Sequence, residues 1–349
     1  MRSRDRVRGC AAGLPRSSVL LALLPLAACA GVGPTPPPPT PGGAVVAAIP
    51  VGAPPTLLAM APDGKHVYAA SGGALAVIET TTNTVVATLP ANPNSTGIAV
   101  APNGARVYVA ALFSDSLVVL DTTTNTLAPP VQLFLERVRG GFSWMALSPD
   151  GGTAYIVNQD NAALAILRLP DGHGDLVMPD IRPVDAAIAP DGRTVYLAGC
   201  KPICTPGFVE LLDTGTRIFG REIPVDGSPY RIAVAPNGAR AYTTNLSGPS
   251  VSVIDLASGA VVATVGVPVQ PTGLAVSGDS RTVWVASQTG GVLTAIDAAT
   301  NQVRGSVPVA LARDVAVAPD GRRVYVSSGR DVVVVDSAKA APAPDAARG

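Results

Sequence analysis

Six charged and aromatic residues at related positions are the strongest candidates for chemistry in this chain. They are Trp144, Asp185, Arg231 and Asp314, each two residues before a recurring alanine, with Tyr230 and Arg313 beside them. Carboxylates, guanidinium groups and aromatic rings brought to one place could bind a polar ligand or assist a hydrolysis. The same charges could instead pair, the two arginines with the two aspartates, and only fill the space between segments.

Conventional catalytic motifs are absent from the sequence. It has two histidines, and we expect His66, in a short hairpin, to be exposed. His173 lies in DGHGD at 171–175, where oxygen and imidazole ligands could bind a cation, although glycine and aspartate there are also ordinary turn residues. Neither Gly-x-Ser-x-Gly nor His-Glu-x-x-His occurs. The sequence therefore predicts no catalytic residue, no metal site and no cofactor.

The candidate residues are carried by an internal repeat. A turn dipeptide of Asp-Gly or Asn-Gly recurs at 63, 103, 150, 191, 237 and 320, with Asp279-Ser280 as a degenerate copy. Asn-Gly between alternating apolar runs predicts a hairpin with a type I′ turn. The aromatic residues that follow these turns are Tyr68, Tyr108, Tyr155, Tyr196, Tyr242, Trp284 and Tyr325. Seven copies at a period near 40 residues, in sequence without helical periodicity, predict an all-β fold: a seven-bladed β-propeller of four-stranded blades.

Two further positions recur in each copy. The first predicted strand carries Ala59, Ala99, Ala146, Ala187, Ala233, Ala275 and Ala316, where crowding near the axis would favour a small side chain. The third strand ends in Glu79, Asp121, Asp213, Asp255, Asp297 or Asp336, and Arg168 is the exception. We expect these acids to cap turns by accepting hydrogen bonds from backbone amides two residues on, and not to form a metal or catalytic ring.

The last copy lacks a fourth strand after Asp336. A matching segment, AVVAAIPV, occurs at residues 44–51. We therefore expect this N-terminal strand to complete the last blade, so that the propeller spans 44–336 and leaves no open edge. Residues 337–349 are expected to be a disordered tail.

These repeats resemble the YVTN repeat family of β-propellers. The resemblance rests on Pro-x-x-Ile-Ala-Val-x-Pro-Asp/Asn-Gly-x-x-Val-Tyr-Val-Ala and a following DTTTNT-type run, although the Tyr-Val-Thr-Asn tetrapeptide itself is degenerate here. It implies the propeller fold and a surface or secreted location in bacteria or archaea. Because lactonases and haem-d1-binding propellers share the fold, two alternatives are a lactonase-like hydrolase using His173, Asp185 and Arg231 and a propeller that binds a small molecule at the mouth of the central channel. Neither histidine is expected near the axis, as haem d1 would require.

The N-terminus has the features of an export signal. Residues 1–28 combine five arginines, a short apolar stretch and the sequence Leu-Ala-Ala before Cys29. This resembles a bacterial lipoprotein signal, so Cys29 is expected to be lipidated and to anchor the protein to a membrane, with the periplasm and outer membrane as its location in a Gram-negative host. Ordinary cleavage and secretion is the alternative. Residues 29–43 are proline-rich and are expected to form a semi-rigid tether.

Composition argues against nucleic acid as a partner. Loss of residues 1–28 would remove five arginines and one aspartate and leave 20 basic against 24 acidic residues. The mature chain would therefore have no basic footprint. We expect a monomeric propeller with a protein partner in the cell envelope.

The four cysteines are expected to have separate fates. Cys10 would leave with the signal and Cys29 would be acylated. Cys200 and Cys204 share a short loop, and an oxidising compartment favours a disulfide between them. Free or redox-active thiols and a metal pair are the alternatives.

The repeats are lengthened in the second to fourth blades. The extra residues lie in 129–142, 170–183 and the cysteine loop 199–207, and we expect all three on one face. Long loops on a regular scaffold often carry function. The sequence therefore predicts a non-catalytic binding or scaffolding module that uses this face, with Leu133, Phe134 and Leu135 exposed to a partner.

Overall fold

Each copy of the repeat folds into one four-stranded antiparallel sheet, or blade. The computed structural model describes residues 43–135, 141–201 and 206–340. Strand β1 (Val45–Pro50) comes first in the chain but belongs to the last blade. The seven blades form a ring, and the protein is an all-β seven-bladed β-propeller, as the sequence predicts.

The strands of the first three blades follow one another in chain order. The first blade comprises β2 (Pro55–Met60), β3 (His66–Ser71), β4 (Ala74–Glu79) and β5 (Thr84–Pro90). The second comprises β6 (Ser95–Val100), β7 (Arg106–Ala111), β8 (Ser116–Asp121) and β9 (Thr126–Gln132). The third comprises β10 (Phe142–Leu147), β11 (Thr153–Asn158), β12 (Ala163–Arg168) and β13 (Gly174–Val177).

The remaining blades repeat this pattern until the chain returns to β1. The fourth blade comprises β14 (Arg182–Ile188), β15 (Thr194–Cys200), β16 (Gly207–Asp213) and β17 (Phe219–Val225). The fifth comprises β18 (Pro229–Val234), β19 (Arg240–Asn245), β20 (Ser250–Asp255) and β21 (Ala260–Gly266). The sixth comprises β22 (Pro271–Val276), β23 (Thr282–Ser287), β24 (Val292–Asp297) and β25 (Gln302–Pro308). The seventh comprises β26 (Val315–Val317), β27 (Arg323–Ser328), β28 (Asp331–Asp336) and β1.

Ring closure depends on pairing between the two ends of the repeat array. β1 runs antiparallel to β28, with Ala48 opposite Val333 and Pro50 opposite Asp331. The first strand of each blade contacts the first strand of the next, and β26 contacts β2 across the closure. The first strands therefore form the innermost wall, and the expected N-terminal strand completes the last blade.

The hydrophobic core is divided among the seven blade-to-blade interfaces. Among the described residues, each of seven clusters of buried apolar side chains combines residues of two neighbouring blades. The recurrent aromatic residue of each second strand lies in the cluster shared with the following blade; Tyr68, for example, packs with Val107 and Val109. The repeated aromatic residue is thus a wedge between blades, and this explains why it recurs.

The turns match the sequence prediction in part. The five third-strand aspartates cap turns as expected; the Asp121 carboxylate, for example, accepts hydrogen bonds from the Thr123 and Thr124 amides. Glu79 differs, since it accepts from the Thr82 hydroxyl. The predicted type I′ hairpin is wrong, because Gly64 has a φ of 72° while Asp63 is not left-handed. The Gly64 amide instead donates to the Ala61 carbonyl, as in a type I turn. Pro62 explains the difference, since its ring fixes φ near the value that a type I turn requires at that position.

Antiparallel order assigns every connection to one of two sides. We call the side of the first-to-second hairpins and third-to-fourth turns the hairpin side. We call the side of the second-to-third loops and blade-to-blade connections the loop side. The described residues of the first and third insertions, 133–135, 141, 201 and 206, lie on the loop side, as expected. The stretch 170–183 lies only partly on the loop side. Its first residues, through His173, form the turn between β12 and β13 on the hairpin side. The reason is that residues 174–177 form a short fourth strand, β13, whose sequence GDLV is unlike that of the other fourth strands.

Several terminal expectations fall outside the described residues. The signal sequence, Cys29 and most of the tether lie in residues 1–42. At the other end, Ser337–Lys339 form a short 3-10 helix and Ala340 packs against the cluster between the sixth and seventh blades, which differs from a tail that is disordered from 337. In the described part of the chain, no helix has the length and apolarity to cross a bilayer.

We predict that removal of residues 1–50 lowers the urea midpoint of unfolding far more than removal of residues 1–42. Loss of β1 would uncover β28 and remove the buried side chains of Val45 and Ile49 from the core. Burial of these two side chains alone contributes about 3 kcal/mol or more. Equal midpoints for the two truncated chains would show that ring closure by β1 is not needed for stability.

Candidate functional site

The candidate residues lie where the innermost strands enter the blades from the loop side. Six of the seven first strands shift register there; the bulge in β18, for example, lies between Pro229 and Arg231, and that in β14 lies between Pro183 and Asp185. A β-bulge re-aims a side chain and leaves backbone groups unpaired. The bulges therefore place Asp185 and Arg231 at the axis and free nearby amides to bond with side chains.

Two buried aspartates join neighbouring blades at this level. Asp185 Oδ2 in the fourth blade accepts a hydrogen bond of 2.8 Å from the Ile232 amide in the fifth. In the same way, Asp314 Oδ2 in the seventh blade accepts one of 2.8 Å from the Leu58 amide in the first. Each carboxylate therefore bonds to the bulged strand of the following blade, and the two interfaces are equivalent in the repeat.

Arg231 bridges these two aspartates across the axis. Its Nη1 lies 3.7 Å from Asp185 Oδ2, and its Nη2 lies 3.7 Å from Asp314 Oδ1. Its Cζ lies 3.6 Å from the centre of the Trp144 ring, a cation–π arrangement. Arg231 thus brings together residues from the third, fourth, fifth and seventh blades.

Glycines at the equivalent positions of two other blades allow the strands to approach. A Cβ added to Gly97 would collide with the Ser143 carbonyl, and one added to Gly273 would lie 2.9 Å from the Asp314 Cα. Both approaches are closer than real Cβ atoms show. Glycine is therefore required sterically at these two positions, and the absence of a side chain there leaves the axis to Arg231 and its partners.

The other two predicted residues differ in placement. Tyr230 meets the Trp144 ring edge-on, with 6.5 Å between ring centres and an angle of 83°. Arg313 is exposed, and its side chain forms no ion pair with any described residue. The expected pairing of both arginines with the two aspartates is therefore wrong for Arg313, because the short β26 begins after it and its side chain is left in solvent.

Below this cluster the axis contains a cavity of about 320 Å³. Its polar lining includes Asp185 and Arg231, and Leu58, Ile98 and Leu274 are among its apolar lining residues. Pockets for small ligands begin at roughly this volume and combine apolar walls with a few polar groups. The cavity therefore has the size of a small-molecule site, and its exposed lining is mostly polar.

Burial shifts the ionisation of the two aspartates. Removal from water raises the pKa of Asp185 to about 6, although Arg231 and two backbone amides act in the opposite direction. The pKa of Asp314 is also raised, again chiefly by burial. The cluster can therefore gain a proton at mildly acidic pH.

The structure does not bring His173 to the axis. Its ring stacks on Phe134 at the outer edge of the third blade, with 4.7 Å between ring centres. The flanking Asp171 and Asp175 pair with Arg168 and Arg217. The alternative hydrolase that combines His173 with Asp185 and Arg231 therefore lacks its geometry, since His173 is on a third-to-fourth turn and the other two are on innermost strands.

An acidic cluster in the fourth blade was not predicted from the sequence. Ligand atoms of Asp180, Glu210 and Glu222 lie within 4.8 Å of one another. Glu210 accepts hydrogen bonds from the Asp180 and Ile181 amides, and Glu222 pairs with Lys201 at 2.8 Å. These three residues are far apart in sequence, so only strand pairing could have revealed the cluster. The Glu210 and Glu222 carboxylates already bind protein groups.

The structure describes one of the two cysteines of the predicted disulfide. Cys200, at the end of β15, is disulfide-bonded. Cys204 lies outside the described residues, so a bridge from Cys200 to Cys204 stays a prediction.

The loop side carries exposed apolar side chains. Phe113, Phe134 and Met178 have exposed fractions of 71%, 55% and 61%, and they lie on the loop-side segments of the second and third blades. Leu133, in contrast, is 8% exposed and Leu135 packs against the core. Of the three residues predicted to be exposed in 129–142, only Phe134 is.

Comparison with known proteins supports the fold. No family model matches the chain. The chain is similar to the seven-bladed β-propeller protein Rv1057 of Mycobacterium tuberculosis, with 32% identity over 125 residues. That match covers 33% of this chain and 32% of the relative, so it spans about a third of the length of each.

Solved structures show the same architecture at low identity. A chain of Kuenenia stuttgartiensis hydrazine synthase superposes with a TM-score of 0.73 and 19% identity, over 83% of this chain and 97% of that one. The Cps50 (Swd1) β-propeller domain of Myceliophteria thermophila gives 0.72 and 9%, over 84% and 99%. Identities this low establish the propeller fold and nothing finer.

We predict that Arg231→Ala destabilises the protein by about 3 kcal/mol at neutral pH. The substitution leaves the buried carboxylates of Asp185 and Asp314 without their cation, and an unpaired buried charge is costly. Chemical denaturation followed by circular dichroism measures the loss. Arg313→Ala is the matched control and should change stability by less than about 0.5 kcal/mol, because Arg313 is exposed and unpaired. Equal effects of the two substitutions would contradict the bridging role.

We predict that the stability of the wild type relative to Asp185→Asn falls as the pH rises from 4 to 7. The pKa of Asp185 is higher in the folded state, about 6, than its ordinary value of 3.8, so the folded state binds more protons across this window. The contribution is complete below pH 4 and is lost as the pH passes 6. The expected change is about 3 kcal/mol at most, from urea unfolding at several pH values. A constant difference would show that Asp185 does not titrate there.

Proposed function

We propose that this protein is an exported, lipid-anchored β-propeller of the YVTN repeat type that binds a protein partner in the cell envelope without catalysis. The observation that carries the proposal is the group of exposed apolar side chains on the loop side, Phe113, Phe134 and Met178. Large apolar side chains that gather on one side of a repetitive scaffold are typical of an interaction surface.

Phe113 and Phe134 lie on segments that hydrogen-bond to each other. The Leu133 amide, next to Phe134, donates to the Asp115 carbonyl at 2.8 Å, and the Gly141 amide donates to the Leu112 carbonyl. Residues 112–115 are thereby joined to Leu133 and Gly141, while Met178 follows the end of β13 in the next blade. We define the apolar loop patch as Phe113, Phe134 and Met178. Aromatic and methionine side chains of this kind are enriched in the cores of protein interfaces.

The geometry of the axis supports a non-catalytic role. Asp185 and Asp314 accept backbone hydrogen bonds from the following blade and lie beside Arg231, so both carboxylates help to hold neighbouring blades together. The third member of the alternative hydrolase, His173, lies at the outer edge of the third blade.

The path of the chain is compatible with an anchor at Cys29. β1 begins beside the end of β28, where the Asp336 amide donates to the Ala44 carbonyl, and this is the hairpin side. The chain therefore enters the propeller on the side opposite the connections that carry Phe113 and Met178. A membrane anchor upstream would join the propeller from the hairpin side and leave the loop side accessible to a partner.

We predict that substitution of the apolar loop patch abolishes recovery of the partner. The full chain and a Phe113→Ser, Phe134→Ser, Met178→Ser variant are each purified from detergent-solubilised envelope, and co-purified proteins are quantified by mass spectrometry. A partner should be recovered with the full chain and fall at least about tenfold with the triple variant, since a few central apolar residues carry most of an interface's energy.

A second triple variant provides the control. Val86→Ser, Ile218→Ser and Val262→Ser remove apolar side chains of similar exposure, which lie on outer strands or on the hairpin side. This variant should recover the partner as the full chain does. Equal losses in both variants, or equal recovery with all three proteins, would contradict the placement of the interface on the loop side.

A further inference from the structure

Arg231 is a buried cation whose hydrogen-bonding capacity is unused by the protein. Its side chain is 16% exposed, and none of its guanidinium N–H groups forms a hydrogen bond with a described residue. The two carboxylates lie 3.7 Å from Nη1 and Nη2, beyond hydrogen-bond distance. Buried polar groups in proteins are nearly always hydrogen-bonded. Nε is the buried donor without a partner, and the Nη1 and Nη2 groups are available to an acceptor that enters the axis.

An acceptor beside the guanidinium is also unused. Asp314 is 2% exposed, and its Oδ1 forms no hydrogen bond within the described part of the chain, although it faces Arg231 Nη2. Each Asp185 oxygen accepts one backbone amide and has capacity for a further bond. The site thus offers unused donors next to unused acceptors, and a group that both accepts and donates would satisfy both.

The arrangement of charged groups at this site favours a neutral ligand over a charged one. One guanidinium lies between two carboxylates, so a carboxylate or phosphate ligand would meet two like charges. An ammonium ligand at the same place would be repelled by the positively charged guanidinium. A neutral hydroxyl accepts from Arg231 and donates to Asp185 or Asp314 without adding charge. Several hydroxyls on one small molecule would serve several of these donors and acceptors together.

The cavity next to Arg231 provides the space. Its volume of about 320 Å³ is at the lower end of the range for ligand pockets, which favours a molecule of a few carbons over a drug-sized one. Leu58, Ile98 and Leu274 offer apolar walls for C–H surfaces, while Asp185 and Arg231 form the polar end. Trp144 lines the same cavity beside the guanidinium.

We propose that the axial cavity binds a small neutral polyhydroxylated molecule, a polyol or monosaccharide, through Arg231 and Asp185. Hydroxyl groups of the ligand accept from the guanidinium and donate to the carboxylates. This site is separate from the apolar loop patch, so the inference goes beyond the proposed function and does not depend on it.

Tryptophan fluorescence offers a direct test in the full chain. Trp144 and Trp284 are the only tryptophans, and Trp284 lies in the cluster between the sixth and seventh blades. Trp284→Tyr should be tolerated because the other six copies carry tyrosine at that position. In this background the emission of Trp144 alone reports on the axis. Titration with myo-inositol, glycerol and glucose should give a saturable change with at least one of them, whereas gluconate and glucosamine should give none.

Two variants and one control tie the signal to the proposed residues. Arg231→Lys keeps the charge but removes the planar set of donors, and Asp185→Asn keeps the size but removes the charged acceptor. Each should weaken binding about tenfold or more, since hydrogen bonds to charged groups are among the stronger ones. Arg313→Gln, at an exposed neighbouring cation, should bind as the parent does. Thermal unfolding of each variant checks that the propeller is intact.

Three outcomes would overturn the inference. The first is no saturable change with any neutral polyol up to its solubility limit. The second is equal binding by the parent and by both folded variants. The third is a crystal structure, grown with the best ligand, in which only ordered water lies between Arg231 and the two carboxylates.

Discussion

Pairing of β1 with β28 is the constraint on which the rest of this structure depends. Every blade exposes two faces, and each face is covered by a neighbouring blade through a cluster of apolar side chains and one wedge-shaped aromatic residue. An open array would leave two such faces and two strand edges uncovered. A strand that precedes the whole array and completes its last blade makes closure a property of the entire chain. The repeat can then use small residues and valine, because no single blade needs a core of its own.

Closure also creates the axis and its electrostatics. Seven innermost strands converge, and two glycines let neighbouring strands approach at the level where bulges turn the other side chains inward. Charged residues there lose much of their hydration, which raises the pKa of Asp185 and Asp314. A single guanidinium compensates both carboxylates, and an aromatic ring from another blade supports it. The result is a polar site that belongs to four blades and to no single repeat.

The two proposed sites follow from two different departures from the repeat. At the axis, the equivalent positions of the blades carry different side chains. The seven first strands therefore have similar backbone geometry but present different chemical groups to the axis. On the loop side, connections of the second and third blades expose the aromatic and methionine side chains of Phe113, Phe134 and Met178. Both sites are easy to locate in a repeat protein, because each blade can be compared with the other blades of the same chain.

The sequence by itself determined the blade number, the closing strand and the positions that face the axis. Local and periodic features suffice for these, because turn residues, recurring alanines and wedge aromatics repeat at fixed spacing. Tertiary structure alone decided which charges meet: Arg231 reaches Asp185 and Asp314, whereas Arg313, next to Asp314, points to solvent. It also separated His173 from the axis, buried Leu133 and assembled Asp180, Glu210 and Glu222. The physical reason is that strand pairing and blade order bring distant residues together, and spacing along the chain does not encode the direction of a side chain at a bulge.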